Sequence, residues 1–209
     1  MCIRDSDNGE SLGIGSGSTV NILIENLSKV KNKIRNVVSS SVKSTELLEA
    51  NGFEVSELRD VGRLTKYIDG ADEVNKDLQM IKGGGGALTR EKVLAHNSNQ
   101  FICIVDDSKK VDMLGKFPLP IEVIPLSRSS VSLELIKHGG RPVLRENFVT
   151  DNGNLILDIH NLQIMEPIKL EQTINNIPGV VTNGIFALDH ANVLLCASDN
   201  GVDKTDLNA

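Results

Sequence analysis

The sequence predicts an α/β protein built from a mostly parallel-sheet domain and a smaller α+β domain. Two observations carry that expectation. In the first half, short apolar runs alternate with stretches of helical spacing, the signature of βαβ units and a parallel sheet. From about Lys116 the order becomes β-α-β-β-α-β, the ferredoxin-like split βαβ arrangement. The expected domains are residues 1–116, completed by 191–209, and residues 117–190. A chain of 209 residues that is 40% hydrophobic and 24% charged is long enough to bury such a core.

Residues 12–14 read as a strand running into Gly15-Ser16-Gly17-Ser18-Thr19. Val20, Leu23, Ile24 and Leu27 then mark one face of a helix, at i, i+3, i+4 and i+7. Val37-Val38 leads into Ser39-Ser40-Ser41, with a helix over 44–51 closed by Gly52 at the left-handed C-terminal position. Residues 66–68 form a strand ending in Asp69, and 101–105 a buried one ending in Asp106-Asp107-Ser108-Lys109. Pro118-Leu119-Pro120 is expected to be a linker, since proline stiffens the chain and blocks helix continuation. After it come strand 121–124, helix 129–138, strands 142–148 and 155–159, helix 169–176 and strand 180–186. Asp151-Asn152-Gly153-Asn154 supplies the turn of the central hairpin. Residues 193–196 make a strand returning to the first sheet, and the polar stretch 198–209 is expected to fray.

Composition narrows the function. Lys plus Arg number 22 against 28 Asp plus Glu, a net charge of −6, which disfavours nucleic acid as a partner because affinity there comes from clustered positive charge. Only 5 Phe and 1 Tyr, with no Trp, leave few stacking platforms for bases or flat cofactors. No window approaches the roughly 18 consecutive apolar residues of a membrane-spanning helix, so no membrane partner is expected. Cys2, Cys103 and Cys196 are odd in number and unrelated in context, which fits a reducing compartment, with Cys103 a small buried hydrophobe. The first residues lack an apolar run of signal-peptide length, and a cytosolic location is expected. His96, His138, His160 and His190 form no metal pattern and read as structural or exposed.

Three loops carry candidate chemistry. The Gly15–Thr19 region lies between strand and helix, where backbone N–H groups converge at the positive end of the helix dipole, a setting for one phosphate or, alternatively, a tight turn with Ser18 as N-cap. It lacks the lysine of a Walker loop and the third glycine of a dinucleotide fingerprint. Asp69-Gly70-Ala71-Asp72-Glu73 sets three carboxylates at the C-terminal end of a parallel strand, where open α/β sheets bind ligands, although Asp-Gly is also turn chemistry. Lys82-Gly83-Gly84-Gly85-Gly86 offers a row of N–H donors and a positive charge for a developing oxyanion, and Glu91 follows by five residues. The alternatives are a first-turn Glu91 favoured by the helix dipole and, for Lys109 after the next strand, an exposed loop lysine.

Taken together these segments resemble the A-type ribose-5-phosphate isomerase family. The matching stretches are GSGST at 15–19, SSSVKST at 39–45, DGADE at 69–73, KGGGGALTREK at 82–92, FICIVDDSKKVDMLGKFPLP at 101–120, GGRPVLR at 139–145, VTDNGNLILDIH at 149–160 and PGVVTNGIFA at 178–187. The resemblance implies a Rossmann-like catalytic domain with a ferredoxin-like companion. It also implies aldose–ketose isomerisation of D-ribose 5-phosphate and D-ribulose 5-phosphate through an enediol, without metal or organic cofactor, in a homodimer or homotetramer. By position, the general base falls on Glu91. Substrate contacts fall on Ser16, Gly17, Ser18, Thr19, Asp69, Gly70, Ala71, Asp72, Lys82, Gly83, Gly84, Gly85 and Lys109, with Asp69, Asp72 and Lys82 sharing the chemistry. Ser16 stands where the family usually has threonine.

The family also places a helix with a phosphate-facing lysine ahead of this loop. The eleven residues before Leu12 are too few for it, so a shortened phosphate site, a raised KM and a truncated gene start are expected. Two other readings compete. A non-catalytic sugar-phosphate-binding module would use the same loops without proton transfer, and an acyl-thioester transferase would form a covalent adduct on Glu91.

Overall fold

The computed structural model describes residues 9–207, so the expectations for Cys2 and the first six residues lie outside the described part. In chain order the elements are β1 (Glu10–Ile14), α1 (Ser18–Leu27), β2 (Ile34–Ser39), α2 (Val42–Ala50), α3 (Leu58–Val61), β3 (Lys66–Asp69), β4 (Glu73–Val74), β5 (Met80–Ile81), α4 (Leu88–His96) and β6 (Phe101–Asp106). They continue with β7 (Leu119–Val123), α5 (Arg128–Lys137), β8 (Arg141–Leu144), β9 (Leu155–His160), α6 (Pro167–Asn175), β10 (Val180–Asn183), β11 (Ile185–Phe186), β12 (Val193–Ser198) and β13 (Gly201–Asp206). Two compact units result: one of residues up to Gly70, Arg90–Val105 and from Ala191 onward, the other of Ala71–Thr89 and Asp106–His190.

The first unit is a six-stranded sheet in the order β13-β12-β6-β3-β1-β2, in which β2, β1, β3 and β6 run parallel. Its inner strands bury apolar side chains on both faces, which is why they read as short continuous runs rather than alternating ones. Leu12, Ile14, Val37, Ile68 and Ile102 form one core with Val20, Ile24 and Leu27 of α1, the helical stripe visible in the spacing. Ser41 caps α2 by accepting from Ser44 N at 3.1 Å, and Gly52 follows the helix at φ +80°. Cys103 and Cys196 are buried. The stretch expected to fray instead forms β13 from Gly201, pairing with β12 residue by residue. Gly201 takes φ +126° at the tight turn, and the polar, charged sequence of β13 suits an exposed edge.

The second unit is a four-stranded antiparallel sheet, β10-β7-β9-β8, with Val131 and Leu135 of α5 and Ile174 of α6 in one core with Ile121, Val123, Leu157 and Ile159. Four expectations change here. Leu119 and Pro120 are no linker; they open β7 opposite Ile159 and Asp158, a strand start where proline's missing N–H is tolerated. The strand expected over 142–148 ends at Leu144, and residues 145–154 form a long connection containing Gly153 at φ +80°. The strand expected over 180–186 divides at Gly184 into β10 and β11, which belong to different sheets. A Cβ on Gly184 would stand 2.3 Å from the Lys82 carbonyl oxygen, and its own N–H and C=O bond Pro120 O and Lys82 N. Finally, residues 71–89 and 106–116, expected in the first domain, belong to the second unit. The small sheet β11-β5-β4 ties them there, together with Val111 N on Val74 O and Glu73 accepting from Gly115 N and Phe117 N.

Candidate active site

In the first unit, Ser16, Tyr67, Asp69 and Glu91 come together from two strands, β1 and β3, and a helix. Asp69 is fully buried at the end of β3. Its Oδ1 accepts from Ser16 N at 3.0 Å and Gly70 N at 2.7 Å, and its Oδ2 from the Tyr67 hydroxyl. The carboxyl lies against the backbone of Gly15, where a Cβ would stand 1.9 Å from Asp69 Cγ, so only glycine fits there. Gly15 is held from its other side by Ser44 Oγ, which donates to its carbonyl at 2.8 Å. Glu91, in the first turn of α4 and 3% exposed, accepts from Ser16 Oγ at 2.6 Å. Burial, and next the charges of Asp69 and Glu91, push the Tyr67 hydroxyl well above its ordinary pKa, so it stays a donor. At the start of α1 the N-cap is Gly17, no side chain caps the helix, and Ser18 and Thr19 are exposed, which sets aside the reading of Ser18 as a cap. First-turn N–H groups so placed are anion donors.

In the second unit, Asp72 and the glycine run are joined. Gly84 N donates to Asp72 Oδ2 at 2.7 Å, and a Cβ on Gly84 would stand 2.5 Å from Asp72 Oδ1. Gly83 and Gly86 hold φ of +103° and +85°, and Gly86 N closes a turn onto Gly83 O at 2.9 Å. The expectation that every N–H of the run serves a ligand is therefore corrected: those of Gly84 and Gly86 are committed internally. Gly85 is exposed, and its N–H has no partner among the described residues. Lys82 is buried with its ammonium 5.4 Å from the Phe186 ring centroid, so it is not an exposed loop lysine. Lys109 is half-buried on the turn after β6, where Asp106 accepts from Ser108. The Ser108 hydrogen bond holds the Asp106 carboxyl below its usual value.

A family model described as ribose 5-phosphate isomerase A (phosphoriboisomerase A) matches residues 36–201. The chain belongs to the ribose 5-phosphate isomerase A family. The solved ribose 5-phosphate isomerase A of Neisseria gonorrhoeae is 48% identical, covering 98% of this chain and 92% of that one, with a TM-score of 0.95. That of Methanocaldococcus jannaschii is 35% identical over 98% and 94% of the two chains, with a TM-score of 0.92. A D-ribose-5-phosphate isomerase in complex with phospho-erythronic acid is 34% identical over 98% and 94%, with a TM-score of 0.94.

Within this family frame, several residues that shape both units escaped sequence reasoning. Tyr67 sits two residues before Asp69 on the same strand face, a period-2 signal that could have found it. Ser44 reads from the sequence only as the start of a helix and as part of SSSVKST, with no sign of its bond to Gly15. Arg145, Phe148 and Glu122 had no local signal. Glu122 is fully buried in β7 and accepts from Thr89 Oγ1, from Thr150 Oγ1 at 2.9 Å, from Asn152 Nδ2 at 3.1 Å and from Asn154 Nδ2 at 2.8 Å. The Asp-Asn-Gly-Asn stretch read as turn chemistry thus also supplies a buried carboxylate with donors.

Proposed function

We propose that this chain interconverts D-ribose 5-phosphate and D-ribulose 5-phosphate, with Glu91 as the base. The observation that carries the reading is the buried Glu91 carboxylate held by the Ser16 hydroxyl, in a chain 48% identical to a ribose 5-phosphate isomerase A over nearly its whole length. A desolvated carboxylate fixed in place by a hydrogen bond is positioned to act as a general base on a substrate proton. The reaction is an internal redox exchange. Glu91 takes the C2 proton of the open aldose and the C1 carbonyl oxygen gains a proton as the enediol forms; Glu91 then returns its proton to C1 while the C2 hydroxyl gives up its own, which leaves C2 as the ketone and offsets the proton taken by the C1 oxygen. Electrons balance within the substrate, so no cofactor is required.

The remaining assignments follow from chemistry. Developing charge on the carbonyl oxygen needs fixed donors, which the Gly85 N–H and Lys82 supply. Ring opening moves a proton between the ring oxygen and the anomeric hydroxyl. Asp72, half-buried, is the better candidate for that proton, and Asp69, engaged on both oxygens, sets the shape of the Ser16 and Gly70 backbone. Ser16, Gly17, Ser18, Thr19 and Lys109 take the phosphate, with Gly70, Ala71, Gly83 and Gly84 lining the sugar. A homodimer or homotetramer fits the exposed Leu126, Leu133, Ile136 and Met165 of the second unit, and a cytosolic location fits a metabolic enzyme family. Nucleic acid and membrane are not assigned as partners; no helix among the described residues is long and apolar enough to cross a membrane.

The test is direct: purified chain, ribose 5-phosphate, EDTA present, ketose formation followed with time. Turnover is expected. Saturable binding of ribose 5-phosphate without ketose would replace this reading with the binding module, and a covalent Glu91 adduct with a thioester would replace it with the transferase.

A further inference from the structure

Arg145 is the first residue after β8, and its guanidinium makes two kinds of contact at once. Nε and Nη2 fork onto Asp158, at 2.9 Å to Oδ2 and 2.5 Å to Oδ1. Nη1, on the far side of the fork, donates to the carbonyl oxygens of Gly83 at 3.2 Å and Gly84 at 3.0 Å. The group also lies 5.4 Å from the centroid of the Phe148 ring, and that ring closes the space beside Gly86, where a Cβ would stand 2.1 Å from Phe148 Cζ. The connection after β8 therefore grips the glycine run at consecutive peptides, entirely within the second unit.

We propose that Arg145 is a positioning residue for the isomerisation, acting through the peptide planes of the glycine run; this rests on the isomerase reading above. The Gly83–Gly84 peptide is pinned at both ends, its carbonyl by Arg145 and its N–H by Asp72. The next peptide is pinned at its carbonyl only. A trans peptide is planar with C=O and N–H pointing in opposite directions, and no described peptide is cis. Fixing the Gly84 carbonyl on Arg145 therefore aims the Gly85 N–H away from the guanidinium, as an open donor on the exposed part of the run. A cation on the carbonyl also polarises the peptide and strengthens its N–H as a donor. Asp158 holds the guanidinium's plane and neutralises its charge, so Arg145 orients without itself serving as the anion site. An ammonium cannot reproduce this, because one point charge does not span a carboxylate fork and two carbonyls in fixed planes.

The test compares wild type, Arg145→Ala and Arg145→Lys in the isomerase assay, with and without added guanidinium chloride, and follows amide hydrogen exchange. Loss of one preorganised oxyanion donor typically lowers kcat by about 10²–10³, and misaiming it should cost Arg145→Ala roughly 10- to 100-fold in kcat. KM should stay within about threefold, since Arg145 does not touch substrate. Guanidinium at about 20 mM should restore part of kcat to the alanine variant, an effect a purely structural role would not show, and Arg145→Lys should rescue little. Exchange of the Gly84–Gly86 amides should quicken in Arg145→Ala while β7 and α5 stay as in wild type. An active wild type with Arg145→Ala at unchanged kcat, or with a lowered Tm and unchanged kcat/KM per folded molecule, overturns this inference alone. A raised KM with kcat preserved overturns it too, by making Arg145 a substrate contact. Unchanged exchange overturns the grip on the run. A wild type without isomerase activity overturns the isomerase reading and the catalytic role with it.

Discussion

The two units hold their carboxylates by different means. In the first, Asp69 and Glu91 are buried and take hydrogen bonds from a phenol, a serine hydroxyl and backbone N–H groups. In the second, Asp158 is forked by Arg145, and that ion pair holds the backbone of a glycine run. The difference is one of geometry. Hydroxyl and backbone N–H donors fix a carboxylate through separate bonds from several elements, whereas a forked guanidinium satisfies both oxygens in one plane. On the isomerase reading, proton transfer falls to Glu91 and Asp72, and shape-keeping to Asp69 and to the Asp158–Arg145 pair. Glu122 tests the boundary of that division, since it is hydroxyl- and amide-held yet lies in the second unit with four donors on its two oxygens.

The sharpest break would come from Glu91→Gln. An amide keeps the shape and loses the base, so kcat should fall by roughly 10²–10⁴ with KM within a few-fold. A variant retaining more than about a tenth of wild-type kcat would end the assignment of Glu91 as the base. Next, Glu122→Gln places an amide N–H₂ among donors with nowhere to point. Folding stability should drop by about 1–3 kcal/mol in urea unfolding, with kcat/KM of the folded protein far less affected. A loss of kcat as deep as that of Glu91→Gln at unchanged stability would instead move Glu122 among the chemical residues.

A smaller effect is expected of Ser16→Ala. It removes the hydroxyl that donates to Glu91 and leaves the Ser16 N–H on Asp69 in place. Hydrogen bonds to charged groups contribute about 1.5–3 kcal/mol, so kcat should fall about tenfold or somewhat more, and Tm should fall by a few degrees because a buried carboxylate loses a donor. Unchanged kcat would show that Glu91 is positioned by helix α4 alone.

The smallest effect is the alkaline limb of stability and its loss in Tyr67→Phe. The folded phenol keeps its proton because of burial and the charges of Asp69 and Glu91, while the unfolded phenol ionises near pH 10. Wild type should therefore lose stability as pH rises past about 10, by at most about 1.4 kcal/mol per pH unit from this group. Tyr67→Phe should lack that slope, so the stability gap between the two proteins should narrow between pH 9 and 11 in urea titrations. A gap constant over that range would show that the phenol ionises as readily folded as unfolded.

Much of the molecule was determined by the sequence alone, wherever the deciding interactions are local. The stripe of Val20, Ile24 and Leu27 specifies α1 because helix period and burial coincide. The run from Phe101 to Val105 specifies a buried parallel strand because both faces are apolar. GSGST, DGADE and KGGGGALTREK are legible because glycine and carboxylate chemistry is written in adjacent residues. Other outcomes rested on partners far along the chain. Pro120 opens a strand because residues 155–160 lie opposite it, and the run 180–186 divides because Lys82 leaves no room for a Cβ at Gly184. The polar tail becomes a strand because β12 offers an edge. The hydrogen bond from Ser16 to Glu91 joins residues 75 positions apart, and Arg145 reaches carbonyls 61 and 62 positions back. Tertiary structure alone decides which N–H groups of the glycine run are committed, because that depends on what binds them and their neighbours, and those groups are set by packing over distances that no local pattern records.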